Sequence, residues 1–136
     1  MSKKIIYTDK APEAIGPYSQ ATEMNDTLFV SGQIPIDPES GKLITGSIED
    51  QTEMVLKNLK SILEGSGYSL KDVMKVEVFI DDMEEFSKMN EVYGKYFDEE
   101  PPARACIEVS NLPKNVKVEI SLTAMKWILS FLLLFF

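Results

Sequence analysis

The sequence predicts an α+β fold in which two helices cover one face of a β-sheet. Two segments carry apolar residues at helical spacing, and six shorter ones are rich in strand formers or alternate apolar with polar residues. These segments follow one another as β-β-β-α-β-α-β-β, so helices and strands do not alternate regularly. A length of 136 residues fits one domain.

Ile5, Ile6 and Tyr7 begin an edge strand. Pro12, Gly16 and Pro17 keep the next segment a loop, and Pro17 steers Gly16 away from helix. An extended run over 18–22 and the strand formers of 27–31 flank Asn25-Asp26, a hairpin-turn signal. Gly32 and Pro35 are expected to end that second strand. Asp37-Pro38-Glu39-Ser40-Gly41 reads as a structural turn, proline presetting one dihedral and glycine permitting a positive one.

Residues 47–64 form the clearest helix, with Ile48, Thr52, Val55, Leu59 and Ile62 on one stripe. Ser47 and Asp50 resemble a capping box, and Gly65 and Gly67 are natural stops. A strand follows over 72–80, in which Met74, Val76, Val78 and Ile80 alternate with Lys75, Glu77 and Phe79. The second helix spans 82–97. Asp82 and Glu85 sit at its start, and Phe86, Met89, Tyr93 and Phe97 line one face. Pro101-Pro102 then imposes an extended entry into the last two strands.

In the first of these, Arg104, Cys106 and Glu108 alternate with Ala103, Ala105, Ile107 and Val109. In the second, Lys117, Glu119 and Ser121 alternate with Val116, Val118 and Ile120. If Val109 and Val116 flank a hairpin loop, Cys106 stands opposite Glu119 and Arg104 lies diagonal to it. On residue types alone, an Arg–Glu ion pair stiffening the sheet is favoured over a site, and Cys106 over a nucleophile is a small buried residue. Tyr18, after Gly16-Pro17, is a candidate pocket wall, and Ser31-Gly32 a weak anion-binding signal. The sheet face away from the helices is too apolar for free solvent, and a subunit interface is expected to cover it.

Composition narrows the chemistry. Without histidine, Ser-His-Asp catalysis and His-ligated metal by this chain are excluded. A net charge of −8 opposes non-specific phosphate binding, so no nucleic acid partner is expected. One cysteine cannot form an intramolecular disulfide, and a cytoplasmic location is expected. The N-terminal residues hold no apolar run of signal-peptide length. No phosphate loop, dinucleotide fingerprint or metal cluster occurs.

Three segments together resemble the RidA/YjgF/YER057c/UK114 family, whose members also carry the names L-PSP endoribonuclease and translation inhibitor. They are IGPYSQA at 15–21, SGQIP at 31–35 and PARACIEVSNLPKNVKVEI at 102–120. The resemblance covers roughly residues 3–126. It implies a chorismate-mutase-like fold with a mixed sheet, assembled as a homotrimer with a central barrel and sites between subunits. It implies hydrolysis of 2-imino or 2-enamino acids to 2-keto acids and ammonia, without a cofactor or metal. Small 2-imino and 2-keto carboxylic acids are then the expected ligands. Endoribonuclease activity and non-catalytic binding of small carboxylates stand as alternatives.

By resemblance, Arg104 receives the substrate carboxylate and Glu119 positions or activates the attacking water. The Cys106 carbonyl helps hold that water. Tyr18 forms an aromatic wall from a neighbouring subunit, Ser31 and Gly32 flank the ligand carboxylate, and Asn90 is a weaker match.

Two features depart from the family pattern. Ser121 follows Ile120 where family members commonly continue with Glu-Ala. The domain is expected to end at 126, and the apolar run 127–136 is about half of the ~20 residues needed to span a bilayer, so no membrane span is expected. It reads as a vector or frameshift extension, ahead of an interface segment or weak membrane anchor, and would be an aggregation hazard if exposed.

Overall fold

The computed structural model describes residues 2–127. Six strands form one sheet: β1 (Lys4–Ile6), β2 (Ala21–Met24), β3 (Thr27–Gln33), β4 (Val73–Ile80), β5 (Ala103–Glu108) and β6 (Val118–Met125). Two helices, α1 (Ile48–Gly65) and α2 (Phe86–Tyr96), complete the predicted order. The expected helix over 82–97 begins instead with a 3-10 turn at Met83–Glu85, where Asp82 accepts from the Glu84 amide at 3.0 Å. The apolar tail beyond Trp127 lies outside the described residues. Within them, no helix is long and apolar enough to cross a membrane.

The strand order is β1-β2-β3-β6-β4-β5. Asn25 and Asp26 both adopt positive φ, 51° and 55°, which matches the twist of the β2–β3 hairpin they connect. β4 and β5 are parallel because a helix, α2, carries the chain back between them. β6 is antiparallel to both β3 and β4 and fills the gap left between them by the α1 crossover.

This order corrects the expected hairpin. β5 and β6 are not neighbours, since β4 lies between them. The segment joining them is too long for a tight turn. It contains a 3-10 turn at Pro113–Asn115 with Lys114 and Asn115 at positive φ. This lets β6 pass to the far side of β4.

The core lies between the sheet and the two helices. Val76, Val78 and Ile80 of β4 meet Val118, Ile120 and Leu122 of β6 beneath Val55, Leu59 and Ile62 of α1 and Met89 of α2. Met74 does not join them. The β4–β6 register shifts between Val73 and Lys75, so Val73 takes the core face and Met74 stands 55% exposed. Ser47 caps α1, its hydroxyl accepting from the Asp50 amide at 3.1 Å. Ser47→Ala is expected to lower stability by about 1 kcal/mol, measured by chemical denaturation.

Buried amides fasten the loops to this frame. Gln20 accepts from the Thr8 amide at 2.7 Å and donates to the carbonyls of Thr8 and Pro12 at 3.0 and 2.8 Å. Asn58 of α1 donates to the Ile36 carbonyl at 2.8 Å, and Gln51 accepts from the Lys117 amide at 2.8 Å. Each satisfies backbone groups that would be costly to bury unpaired.

Candidate functional site

The register divides the expected site residues between the two faces of the sheet. Arg104 pairs with Val76 and Cys106 with Val78, both on the helix-covered face. Glu119 pairs with Phe79, whose neighbours along the strand point inward, so Glu119 faces the open side. The expectation that Arg104, Cys106 and Glu119 share one face is therefore overturned, and with it the Arg–Glu ion pair. A further inversion lies in β5. Its apolar residues Ala103, Ala105 and Ile107 point to the open face, and Ile107 is 48% exposed. Its polar Arg104 points toward α2.

The first group forms where the β5 edge meets α2. Arg104 Nη1 donates to Asn90 Oδ1 at 2.7 Å. The guanidinium carbon stands 4.6 Å from the centre of the Tyr93 ring and 5.5 Å from that of Phe86. Among the described residues, no carboxylate pairs with Arg104. Cys106, half-buried beside it, has its thiol pKa raised by burial, partly offset by the Arg104 charge. This suppresses the thiolate and agrees with a non-nucleophilic role.

The second group lies on the open face. Ser31 and Gly32 interrupt the β3–β6 register between Val30 and Gln33, so Gly32 marks an irregularity inside β3 rather than its end. A Cβ at Gly32 would sit 2.6 Å from Glu119 Oε1 and 3.0 Å from Cδ, so the glutamate side chain would have to move. Glycine lets the Glu119 side chain lie this close to the β3 backbone, and a larger residue would displace it. Glu119 is half-buried, and loss of water around it raises its pKa above the usual carboxylate range. No ion pair engages Glu119 among the described residues.

Ser31 is tied to the loop before β2. Its hydroxyl donates to the Ser19 carbonyl at 2.6 Å, and its amide donates to the Gln20 carbonyl at 3.0 Å. These bonds set the base of the loop that carries Tyr18. That ring is 46% exposed, and its hydroxyl accepts from the Ile15 amide at 3.2 Å. Tyr18 thus projects from the surface as a fixed aromatic plate.

The candidate residues therefore fall into two groups on opposite faces of the sheet. Arg104, Asn90 and Cys106 form one, while Ser31, Gly32 and Glu119 form the other. Phe86 and Tyr93 were not singled out from the sequence, where they read as core stripe. Their spacing from Asn90, four residues before and three after, places all three on one helical face. That spacing was the available signal.

The model for the family described as Endoribonuclease L-PSP matches residues 8–126. A RutC family protein of Pyrococcus horikoshii is 56% identical over 124 residues, covering 91% of this chain and 98% of its own. Reactive Intermediate Deaminase A, chloroplastic, of Arabidopsis thaliana is 44% identical over 91% of this chain and 66% of its own length. The crystal structure of E. coli TdcF with bound serine superposes with a TM-score of 0.86 at 42% identity, covering 91% of this chain and 99% of that one. The matched span, these identities and the shared fold place the chain in the Endoribonuclease L-PSP family, which includes the RutC and Rid proteins.

Proposed function

We propose that the protein hydrolyses reactive 2-imino and 2-enamino acids, such as 2-aminoacrylate, to 2-keto acids and ammonia. The observation that carries this reading is a half-buried guanidinium, oriented by Asn90, with no carboxylate partner among the described residues. A guanidinium fork offers paired N–H donors to a carboxylate. The name of the Arabidopsis relative and the serine bound to TdcF agree with this chemistry.

The two half-sites lie on opposite sheet faces, so the proposal includes a homotrimer. A cleft between subunits would set Arg104, Asn90 and Cys106 of one chain against Glu119, Gly32, Ser31 and Tyr18 of its neighbour. The open face, with Phe29 at 54% and Ile107 at 48% exposure, needs such a cover. A single monomeric species by sedimentation, active at the same concentration, would contradict this arrangement.

In the cleft, Arg104 binds the substrate carboxylate. An enamine first gains a proton at C3 from water and loses one from nitrogen to become the imine. Water, held by Glu119 and the Cys106 carbonyl, adds its oxygen to C2 as the C=N π electrons move to nitrogen. Glu119 accepts a proton from that water and returns it to nitrogen. The resulting carbinolamine collapses: its hydroxyl proton passes through Glu119 to nitrogen, the C–N bond breaks, a C=O bond forms, and ammonia leaves. Burial that raises the Glu119 pKa suits it to exchange protons closer to neutral pH.

The test supplies 2-aminoacrylate from a serine dehydratase and follows pyruvate above the spontaneous rate. Acceleration by the protein, lost in Arg104→Ala, is expected; equal rates for the two proteins reject the assignment. Gly32→Ala should push the Glu119 carboxylate aside. Its kcat is expected to fall at least tenfold, with a stability loss of about 1–3 kcal/mol by thermal or chemical denaturation.

The family's description favours a second reading, endoribonuclease. Cleavage of RNA by highly purified protein, abolished in Arg104→Ala, would support it. Binding of 2-keto acids without turnover would instead indicate a small-carboxylate binding protein.

A further inference from the structure

The Asn90 bond is one of three contacts that α2 makes with Arg104. Phe86, Asn90 and Tyr93 share one face of that helix, and all three meet the guanidinium. Tyr93 is the nearer ring, at 4.6 Å. It is itself fixed: it is 6% exposed, and its ring lies 4.8 Å from that of Phe97 at a 36° tilt. The Tyr93 hydroxyl is buried and has no hydrogen-bond partner. Arg104 stands over the ring, and its charge also reaches the hydroxyl, where it partly offsets the burial that raises the phenol pKa.

We propose that Tyr93, seconded by Phe86, is a positioning residue for Arg104. The ring holds the guanidinium by cation–π attraction, so that the remaining N–H donors point at an incoming carboxylate. This rests on reading Arg104 as the carboxylate receptor. Arginine has many rotamers, and a guanidinium tethered only through Nη1 could still swing about that bond. The aromatic contact removes that freedom before the ligand arrives, which lowers the cost of binding. A carboxylate held equally in ground and transition states affects KM more than kcat.

The experiment measures pyruvate binding by calorimetry and steady-state imine hydrolysis. It compares the parent, Tyr93→Leu, Tyr93→Phe and Arg104→Ala, with melting curves and oligomeric state recorded for each. In Tyr93→Leu, the pyruvate Kd and the substrate KM are expected to rise about three- to thirtyfold, with kcat within about twofold. Tyr93→Phe, which keeps the ring, is expected to rescue both constants to within about twofold of the parent.

Unchanged Kd and KM in folded Tyr93→Leu overturn the proposal. Equal defects in the Phe and Leu variants also overturn it, since they would assign the effect to the hydroxyl. If Tyr93→Leu fails to fold, Phe86→Leu decides, because its ring centre also lies near the guanidinium, at 5.5 Å. A smaller rise in KM there supports the proposal, and no rise overturns it. If Arg104→Ala binds and turns over like the parent, the proposed function fails. If Arg104→Ala is silent while Tyr93→Leu behaves as the parent, only the positioning role fails.

Discussion

Arg104→Ala is expected to lower kcat/KM for imine hydrolysis by about a hundredfold. Each charge-assisted hydrogen bond is worth roughly 1.5 kcal/mol, so a bidentate pair gives about 3 kcal/mol. The variant also removes the cation that contacts the Phe86 and Tyr93 rings and leaves Asn90 Oδ1 without its donor. Arg104→Lys separates charge from geometry. It restores a cation but not the planar fork, and its kcat/KM is expected to fall between the other two. Pyruvate affinity should follow the same order by calorimetry. A lysine variant equal to the parent would show that charge alone suffices.

Glu119→Gln is expected to reduce kcat by 10²- to 10⁴-fold, about the range for loss of a positioned general base. In the proposed mechanism the parent protein needs Glu119 ionised to accept a proton from water. Its kcat is therefore expected to fall as pH drops through a pKa above the ordinary carboxylate range. Glu119→Gln should lose that acidic limb. A pH–rate profile of both proteins checks this, and an unchanged limb in the variant would assign it to another group.

Stability should move the opposite way. The folded chain raises the Glu119 pKa by desolvation, so near that pKa the folded state binds more protons than the unfolded one. Stability contributed through this group is then lost as pH rises from the unfolded pKa to the folded one. Glu119→Gln escapes that loss. Its melting temperature is expected to exceed the parent's at pH 8, with the gap narrowing toward pH 4. A site residue that costs stability while serving chemistry is the pattern expected here.

Much of the fold was legible along the chain because local chemistry specifies it. Asn25-Asp26 tolerates the positive φ of a tight hairpin, Ser47 caps α1, and the 3.6-residue stripes of α1 and α2 identify their buried faces. The site was legible only as pieces. The segments around Tyr18, Ser31 and Arg104 marked the family, and the composition excluded histidine chemistry. Phe86 and Tyr93 escaped notice because an aromatic residue that packs the core and one that holds a guanidinium obey the same helical spacing.

By itself, the sequence determined the order and type of the elements, the β2–β3 turn, and the residues with chemical potential. It could not determine which strands become neighbours. Alternation with period two states that a strand has two faces, but not which face is inside or what lies alongside. Tertiary structure decided both. β6 inserted between β3 and β4 because the α1 crossover left that place open, and its apolar row of Val118, Ile120 and Leu122 completes the core there. β5 was left at the edge, where its alanines face outward and Arg104 is directed against α2. The same insertion set Glu119 and Arg104 on opposite faces, so a pair that looked like a salt bridge in the sequence is separated by the sheet.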